Sequence, residues 1–345
     1  EKADSKYNEA REAIANYINA KNNEVIFTKG TTSSLNHIAR NLISNLNSND
    51  EILVSELEHH SNLLPWREYG NQHGIKVNYI KLINNQITLE GIKDSISANT
   101  KIISINHVSN IIGATSPIEE IGKFCQENNI LLVVDGAQGI THEKVDVQKM
   151  NCDFYVFSSH KIFGPTGIGV LYGKEEHLKS MVFEFGGDMA EIVTIDKLTI
   201  KPLPVALEAG TPSIAEVIGL GEAIKYIEKY DMEDIKKHIK ELKDYAVQEF
   251  NKLGKVEIYN ENVDGSTIVF NLEGFPVHDA LALYSNEGIC IRGGHMCNQL
   301  TIKLLGQTSV LRASLNIYNN KEDIDNIVAA TKKILEGDQL SWMDF

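Results

Sequence analysis

Lys161 closes the run Ser158-Ser159-His160-Lys161, which follows an apolar stretch and precedes the glycine-rich turn Gly164-Pro165-Thr166-Gly167-Ile168-Gly169. A lysine at a strand end, among small residues and hydroxyl donors, suits a buried amine that loses its proton to attack an aldehyde. Its ordinary alternative is a surface lysine in a turn. Val133-Val134-Asp135-Gly136-Ala137-Gln138 delivers an aspartate at the carboxyl end of an apolar run, where open α/β sheets bind ligands. There a carboxylate can keep the ring nitrogen of a bound cofactor protonated, and Gln138 can reach a ring oxygen. Isolated strand-end aspartates nevertheless cap helices more often than they bind cofactors.

Three further runs carry chemistry-bearing residues. In Thr28-Lys29-Gly30-Thr31-Thr32-Ser33-Ser34, N–H groups and hydroxyls precede an amphipathic stretch bearing Leu35, Ile38, Ala39 and Leu42, an arrangement that can cradle a phosphate at a helix N-terminus. Glu58-His59-His60-Ser61-Asn62 offers either a metal site or a ring stacked on a planar cofactor. Adjacent residues on an extended chain point apart and no third ligand is suitably spaced, so metal is disfavoured. Ile289-Cys290-Ile291-Arg292-Gly293-Gly294-His295-Met296-Cys297-Asn298 runs from a predicted strand into a glycine loop. Cys297, beside a histidine on a mobile loop, is a candidate nucleophile; Cys290, in an apolar alternation, is expected to be a small buried hydrophobe.

Positioning these residues requires strands that end where the polar runs begin. Short apolar stretches at 24–28, 51–54, 77–80, 101–105, 130–134, 154–157 and 169–171 alternate with helical patterns such as 117–128, the mark of βαβ units around a largely parallel sheet. Beyond Thr211-Pro212, Met232, Ile235, Ile239, Leu242, Ala246, Phe250 and Leu253 recur at threes and fours and stop before Gly254, predicting one long helix. Strands at 256–259, 266–272, 289–292 and 310–317 and helices at 277–287 and 321–335 then predict a second α/β unit. The expected organisation is a large domain over residues 1–228 and a small C-terminal domain over 229–345 carrying the cysteine loop.

The 345 residues suffice for two packed units. A formal net charge of −14, with 47 acidic and 33 basic residues interleaved, argues against a dedicated nucleic-acid surface. Four cysteines without a CxxC pair fit a reduced compartment. No apolar run reaches the length of a membrane span and residues 1–18 lack a signal-peptide core, so a cytoplasmic protein is expected.

In their order along the chain these runs resemble class V of the fold-type I pyridoxal-phosphate (PLP) enzymes, and most closely the group II cysteine desulfurases of the SufS type. The motifs are Gly30-Thr31-Thr32, Glu58-His59-His60-Ser61-Asn62, Ser109-Asn110-Ile111-Ile112-Gly113, Asp135-Gly136-Ala137-Gln138, Ser158-Ser159-His160-Lys161, Glu208-Ala209-Gly210-Thr211-Pro212, Arg292-Gly293-Gly294-His295-Met296-Cys297 and Arg312-Ala313-Ser314. The resemblance implies a mostly parallel seven-stranded sheet with a smaller C-terminal α/β domain, PLP as cofactor and Lys161 as the Schiff-base lysine. It implies further that Asp135 pairs with the pyridine nitrogen, Gln138 bonds the phenolic oxygen and His59 stacks on the ring. Thr31, Thr32, Ser158 and His160 would serve the phosphate, joined by Thr211 from the other subunit of a homodimer. Asn110 would lie near cofactor and substrate, Arg312, assisted by Arg292, would clamp the carboxylate of L-cysteine, and Cys297 would accept its sulfur for an acceptor protein.

Two positions depart from the family pattern: Met296 replaces a histidine, and Asn298-Gln299-Leu300 replaces a small residue and proline. Members also carry a segment ahead of the position matching Glu1, including an Asn-Ala-Thr strand beside the substrate pocket. The competing readings are a selenocysteine lyase or other class V aminotransferase-like enzyme, and a sulfur-transfer scaffold without catalysis.

Overall fold

The computed structural model describes residues 2–337. It divides into two units, one formed by residues 2–108 and 116–230 and the other by 109–115 and 231–337.

The first unit is built on seven strands: β1 (Val25–Thr28), β2 (Glu51–Val54), β3 (Lys76–Tyr79), β4 (Thr100–Asn106), β5 (Leu131–Asp135), β6 (Phe154–Ser158) and β7 (Gly169–Gly173). They lie in the order β1-β7-β6-β5-β4-β2-β3. Only β7 runs against the others, pairing antiparallel with both β1 and β6. β5 and β6 are buried almost throughout, as continuous Val, Leu and Phe runs require when helices cover both sheet faces. Three helices of this unit carry or brace its polar runs: α1 (Lys2–Tyr17), α2 (Thr31–Ile43) and α3 (His60–His73). The α2 helix buries the stripe Leu35, Ile38, Ala39 and Leu42 predicted from its spacing.

Because β7 lies between β1 and β6, the backbones of Gly30 and Gly169 pass close to each other. A Cβ added to Gly169 would sit 2.5 Å from Gly30 Cα and 2.7 Å from the Phe157 carbonyl. This close passage brings the start of α2 onto the end of β6.

Strands β8 (Ala190–Val193) and β9 (Leu198–Ile200) form a separate antiparallel hairpin that the apolar runs of the sequence did not mark. It leaves Ile192, Val193, Ile195 and Leu198 exposed.

The second unit holds β10 (Val256–Ile258), β11 (Thr267–Leu272), β12 (Arg292–Gly294) and β13 (Val310–Ser314), in the antiparallel order β10-β11-β13-β12. The long helix Met232–Leu253 stops where predicted, on Gly254 in the left-handed region. Segment 109–115 is fastened to β11 and to the loop before it: Thr267 Oγ1 donates to the Ile111 carbonyl at 2.8 Å and Asn260 Nδ2 to the Ile112 carbonyl at 2.9 Å.

One expectation fails here. The strand placed at 289–292 begins only at Arg292, and Cys290 is exposed, not a buried hydrophobe. The helix Val277–Asn286 leaves through Gly288, at φ 74°, and the Ile289 N–H turns back to the Tyr284 carbonyl. Residues 289–291 therefore belong to the helix exit, with no ladder to alternate their side chains between core and solvent.

Gly169→Ala should destabilise the protein by about 2 kcal/mol, because its contacts are backbone atoms that cannot swing aside; urea unfolding against the parent chain checks this.

Candidate active site

The parallel strands of the first unit deliver polar residues at one edge of the sheet. Asn106 ends β4, Asp135 ends β5 beside it in register, and Ser158 ends β6. Asp135 is buried, and its Oδ1 accepts the Ala137 N–H at 3.0 Å. Burial pushes its carboxyl up to about 6, against the opposing pull of the Ala137 N–H and the Lys161 charge. Gly136 is obligatory here, since a Cβ would stand 2.1 Å from the Tyr155 ring. The Tyr155 hydroxyl in turn meets His107 Nδ1 at 2.9 Å. Gln138 is half-buried directly after this turn.

Lys161 is half-buried in the short 3-10 helix Ser159–Ile162, and the Thr141 hydroxyl donates to its carbonyl at 2.6 Å. Ser158 Oγ receives the Thr31 N–H at 2.8 Å and lies 2.8 Å from Thr31 Oγ1, joining the end of β6 to the start of α2. Thr32 Oγ1 meets Ser61 Oγ at 2.7 Å, and the Ser61 N–H donates to His59 Nδ1 at 3.1 Å, capping α3. Two hydrogen-bonded pairings thus stand at the start of α2, Thr31 with Ser158 and Thr32 with Ser61 and His59, joining candidates widely separated in sequence. His160 is exposed beside Lys161. Thr211 is exposed too, and lines a cleft with Thr28, Lys29, Ser33 and Gly167.

The residues that support this set were given no such role by the sequence, although Glu58, Asn62 and Glu208 stand within its motifs. Glu58 is almost wholly buried and accepts from Ser55 Oγ at 2.6 Å, Asn62 Nδ2 at 2.7 Å and Asn106 Nδ2 at 2.9 Å. Asn62 Oδ1 also takes the Trp66 Nε1–H at 3.2 Å and the Ser104 hydroxyl at 2.6 Å. Burial pushes the Glu58 carboxyl up to about 8; its three donors oppose the shift and the nearby Asp135 adds to it. A second support holds the segment leading to Thr211. Arg11 on α1 grips Glu208 with both terminal nitrogens, at 2.9 and 2.8 Å, and the Phe27 N–H adds a third bond at 2.7 Å. The i, i+4 spacing of Glu58 and Asn62 hinted at the first support; no local signal links Arg11 to Glu208.

In the second unit, Arg292 and Arg312 face each other across β12 and β13. Directly opposed residues share a face, and like charges there repel. Arg312 donates through Nη1 to the Asn110 carbonyl, while its Nε is buried without a partner among the described residues. Burial and the Arg292 charge both push its pKa down. An anion between these guanidiniums would answer the repulsion and the orphaned donor together. Asn110 also donates through Nδ2 to the Met296 carbonyl at 3.1 Å and accepts from Asn298 Nδ2 at 2.9 Å. Met296 and Cys297 have φ of 50° and 55°, and the Asn298 N–H returns to the His295 carbonyl at 3.0 Å. This is the φ signature of a type I′ turn, a backbone that costs a residue with a Cβ about 1 kcal/mol or more. Cys297 is exposed on it.

Residues 1–327 match the family described as Aminotransferase class-V. The chain is 41% identical over 334 residues to a probable cysteine desulfurase of Halalkalibacterium halodurans, covering 96% of this chain and 82% of that protein. It is 42% identical over 336 residues to one of Staphylococcus aureus, covering 96% and 81%. Among solved structures, the cysteine desulfurase CsdA of Escherichia coli superposes with a TM-score of 0.93 at 35% identity, over 97% of this chain and 85% of that one. A cysteine desulfurase of Thermococcus onnurineus NA1 gives 0.92 at 34%, with the same coverage.

The raised Glu58 carboxyl makes stability pH-dependent. A group whose folded pKa lies above its unfolded value stabilises most below the unfolded value, here 4.5, and that contribution fades as pH rises through about 8. Relative to Glu58→Gln, the parent protein should lose about 4 kcal/mol between pH 5 and pH 9; urea unfolding of both across that range would reveal a flat difference if Glu58 stays ionised throughout.

Proposed function

Because the chain belongs to the aminotransferase class-V family, whose members are PLP enzymes, we propose that it is a cysteine desulfurase converting L-cysteine to L-alanine with a persulfide on Cys297. The observation that carries this reading is Asn110 in the second unit. Its carbonyl holds the Arg312 guanidinium and its side chain holds the turn that displays the Cys297 thiol, so a carboxylate clamp and a sulfur nucleophile are tied to one residue.

The first unit fits PLP through its own residues. A buried carboxyl ends β5, a lysine stands close enough to influence its ionisation, and hydroxyls and N–H groups gather at the start of α2. When bound, PLP supplies an electrophilic aldehyde and an electron sink. Lys161 would hold that aldehyde through its amine and, once displaced by substrate, take the proton from the substrate Cα. Asp135 would keep a proton on the pyridine nitrogen, and Gln138 would bond the phenolic oxygen. His59 would lie against the ring, its imidazole oriented by the Ser61 N–H. Thr31, Thr32, Ser158 and His160 would bind the phosphate.

Arg312, with Arg292, would take the substrate carboxylate by paired N–H bonds, with Asn110 steadying that clamp. Cys297, as thiolate, would attack the substrate sulfur: an S–S bond forms, the substrate C–S bond breaks, and the carbon fragment, with a proton, leaves as L-alanine. An acceptor protein or a reductant would then remove the sulfur from Cys297. Thr211 stands on the exposed segment through which a second copy would complete the phosphate site, which supports a homodimer. The four cysteines are all free, in keeping with a reduced, cytoplasmic setting. Among the described residues no helix is long and apolar enough to cross a membrane.

The test is to load the purified protein with PLP, add L-cysteine, and assay alanine together with persulfide on Cys297. Cys297→Ser should keep the visible absorbance of bound cofactor and lose alanine formation, whereas Lys161→Ala should lose the absorbance. Undiminished alanine from Cys297→Ser would assign the thiol no part in the reaction and favour a lyase.

A further inference from the structure

Met296 and Cys297 occupy backbone that residues with a Cβ avoid, so their surroundings must impose it. Asn298 supplies the constraint with both ends of its amide. It is fully buried; its Oδ1 accepts the Thr301 N–H at 3.3 Å and the Thr301 hydroxyl at 2.8 Å, capping the helix Gln299–Leu304. Its Nδ2 faces the other way and donates to Asn110 Oδ1 at 2.9 Å, while Asn110 Nδ2 donates to the Met296 carbonyl at 3.1 Å. The Asn298 N–H closes the turn on His295. The result is a ring of contacts around the thiol residue, anchored to the helix that comes after it.

Capping alone does not require asparagine, since serine, threonine or aspartate caps equally well through an oxygen. Among these capping residues asparagine alone carries its acceptor and its donor on separate atoms, so that Oδ1 can accept from Thr301 while Nδ2 donates to Asn110 on the other side.

We propose that Asn298 is a positioning residue for sulfur transfer. Its Nδ2 orients the Asn110 side chain, which in turn holds the Met296 carbonyl and fixes the direction in which the turn presents Cys297. This rests on reading Cys297 as the sulfur acceptor. The thiol is thereby held in place before substrate arrives, and the position where the chain departs from its family's small residue becomes the latch on its loop.

Two variants separate latch from cap, both in a Cys290→Ser background so that Cys297 is the exposed thiol followed. Asn298→Asp keeps the oxygen for Thr301 and sets a second oxygen against Asn110; Asn298→Ser keeps a cap but is too short to reach Asn110. Three quantities are measured: the urea unfolding midpoint, the rate of iodoacetamide alkylation at Cys297, and kcat and KM for L-cysteine with PLP bound.

The latch predicts alkylation faster by roughly fivefold and kcat lower by a similar factor, the size of one lost hydrogen bond, with KM within about twofold. The unfolding midpoint of either variant should fall by no more than about one hydrogen bond's worth, and the alkylation and kcat changes should not scale with that fall. Unchanged alkylation and kcat in both variants would overturn the proposal. So would kcat losses that merely track a falling midpoint, which would leave Asn298 a helix cap and nothing more. If the parent protein makes no alanine from L-cysteine, the sulfur-transfer reading fails by itself, and the alkylation rates still decide whether Asn298 holds the turn.

Discussion

The passage of Gly169 against Gly30 is the constraint on which the first unit's chemistry depends. It exists because β7 runs opposite to its neighbours and inserts between β1 and β6. Two strands far apart in sequence are thereby brought within one strand's width of each other. The helix starting after β1 then directs its first N–H group at the serine ending β6. A side chain on Gly169 would separate helix start from strand end, and Thr31 and Thr32 would no longer reach their partners on β6 and α3.

Next to this junction the sheet edge carries a second tension, the burial of acids. Asp135 and Glu58 each lose hydration, and the charge of Asp135 makes Glu58 harder still to ionise. They are supported differently. Glu58 is surrounded by Ser55, Asn62 and Asn106, a closed arrangement suited to rigidity. Asp135 takes a backbone donor, from Ala137, and otherwise feels Lys161 as its opposing charge. A carboxyl held this sparingly is suited to a cationic ring nitrogen, which would lower its pKa and complete its bonding. In the second unit the imbalance is reversed, with two guanidiniums opposed and an Nε unpartnered. Each unit thus shows an electrostatic need of a defined sign.

Much of this was legible in the sequence. The seven strands of the large sheet follow from apolar runs that end in polar motifs, because burial on both faces leaves little choice of composition. The long helix ends at Gly254 because a left-handed cap favours glycine. What stayed hidden shares a different physics. The Arg11–Glu208 pair, the Asn260 bonds to segment 109–115 and the Asn298–Asn110 contact join residues distant along the chain, and no local spacing encodes them. Cys290 misled for a related reason: alternation of Ile, Cys and Ile suggests a strand only where a partner strand is available, and the returning helix end removes it. The β8–β9 hairpin went unnoticed because its strands are only four and three residues long, too short for the alternation Leu198-Thr199-Ile200 to stand out from a loop.

Segment 109–115 lies between β4 and β5 in sequence yet belongs to the second unit, held there by Asn260 and Thr267. The second unit is therefore not a module that could be cut off at a single linker or exchanged between relatives by fusion, since a piece comprising residues 231–337 would lack the Asn110 that joins its arginine to its cysteine. During synthesis residues 109–115 leave the ribosome well before their partners exist, and the thiol end of the chemistry can assemble only after Asn298 and Arg312 emerge. Such an order keeps the nucleophile unorganised until the strand that carries Arg312 has been made.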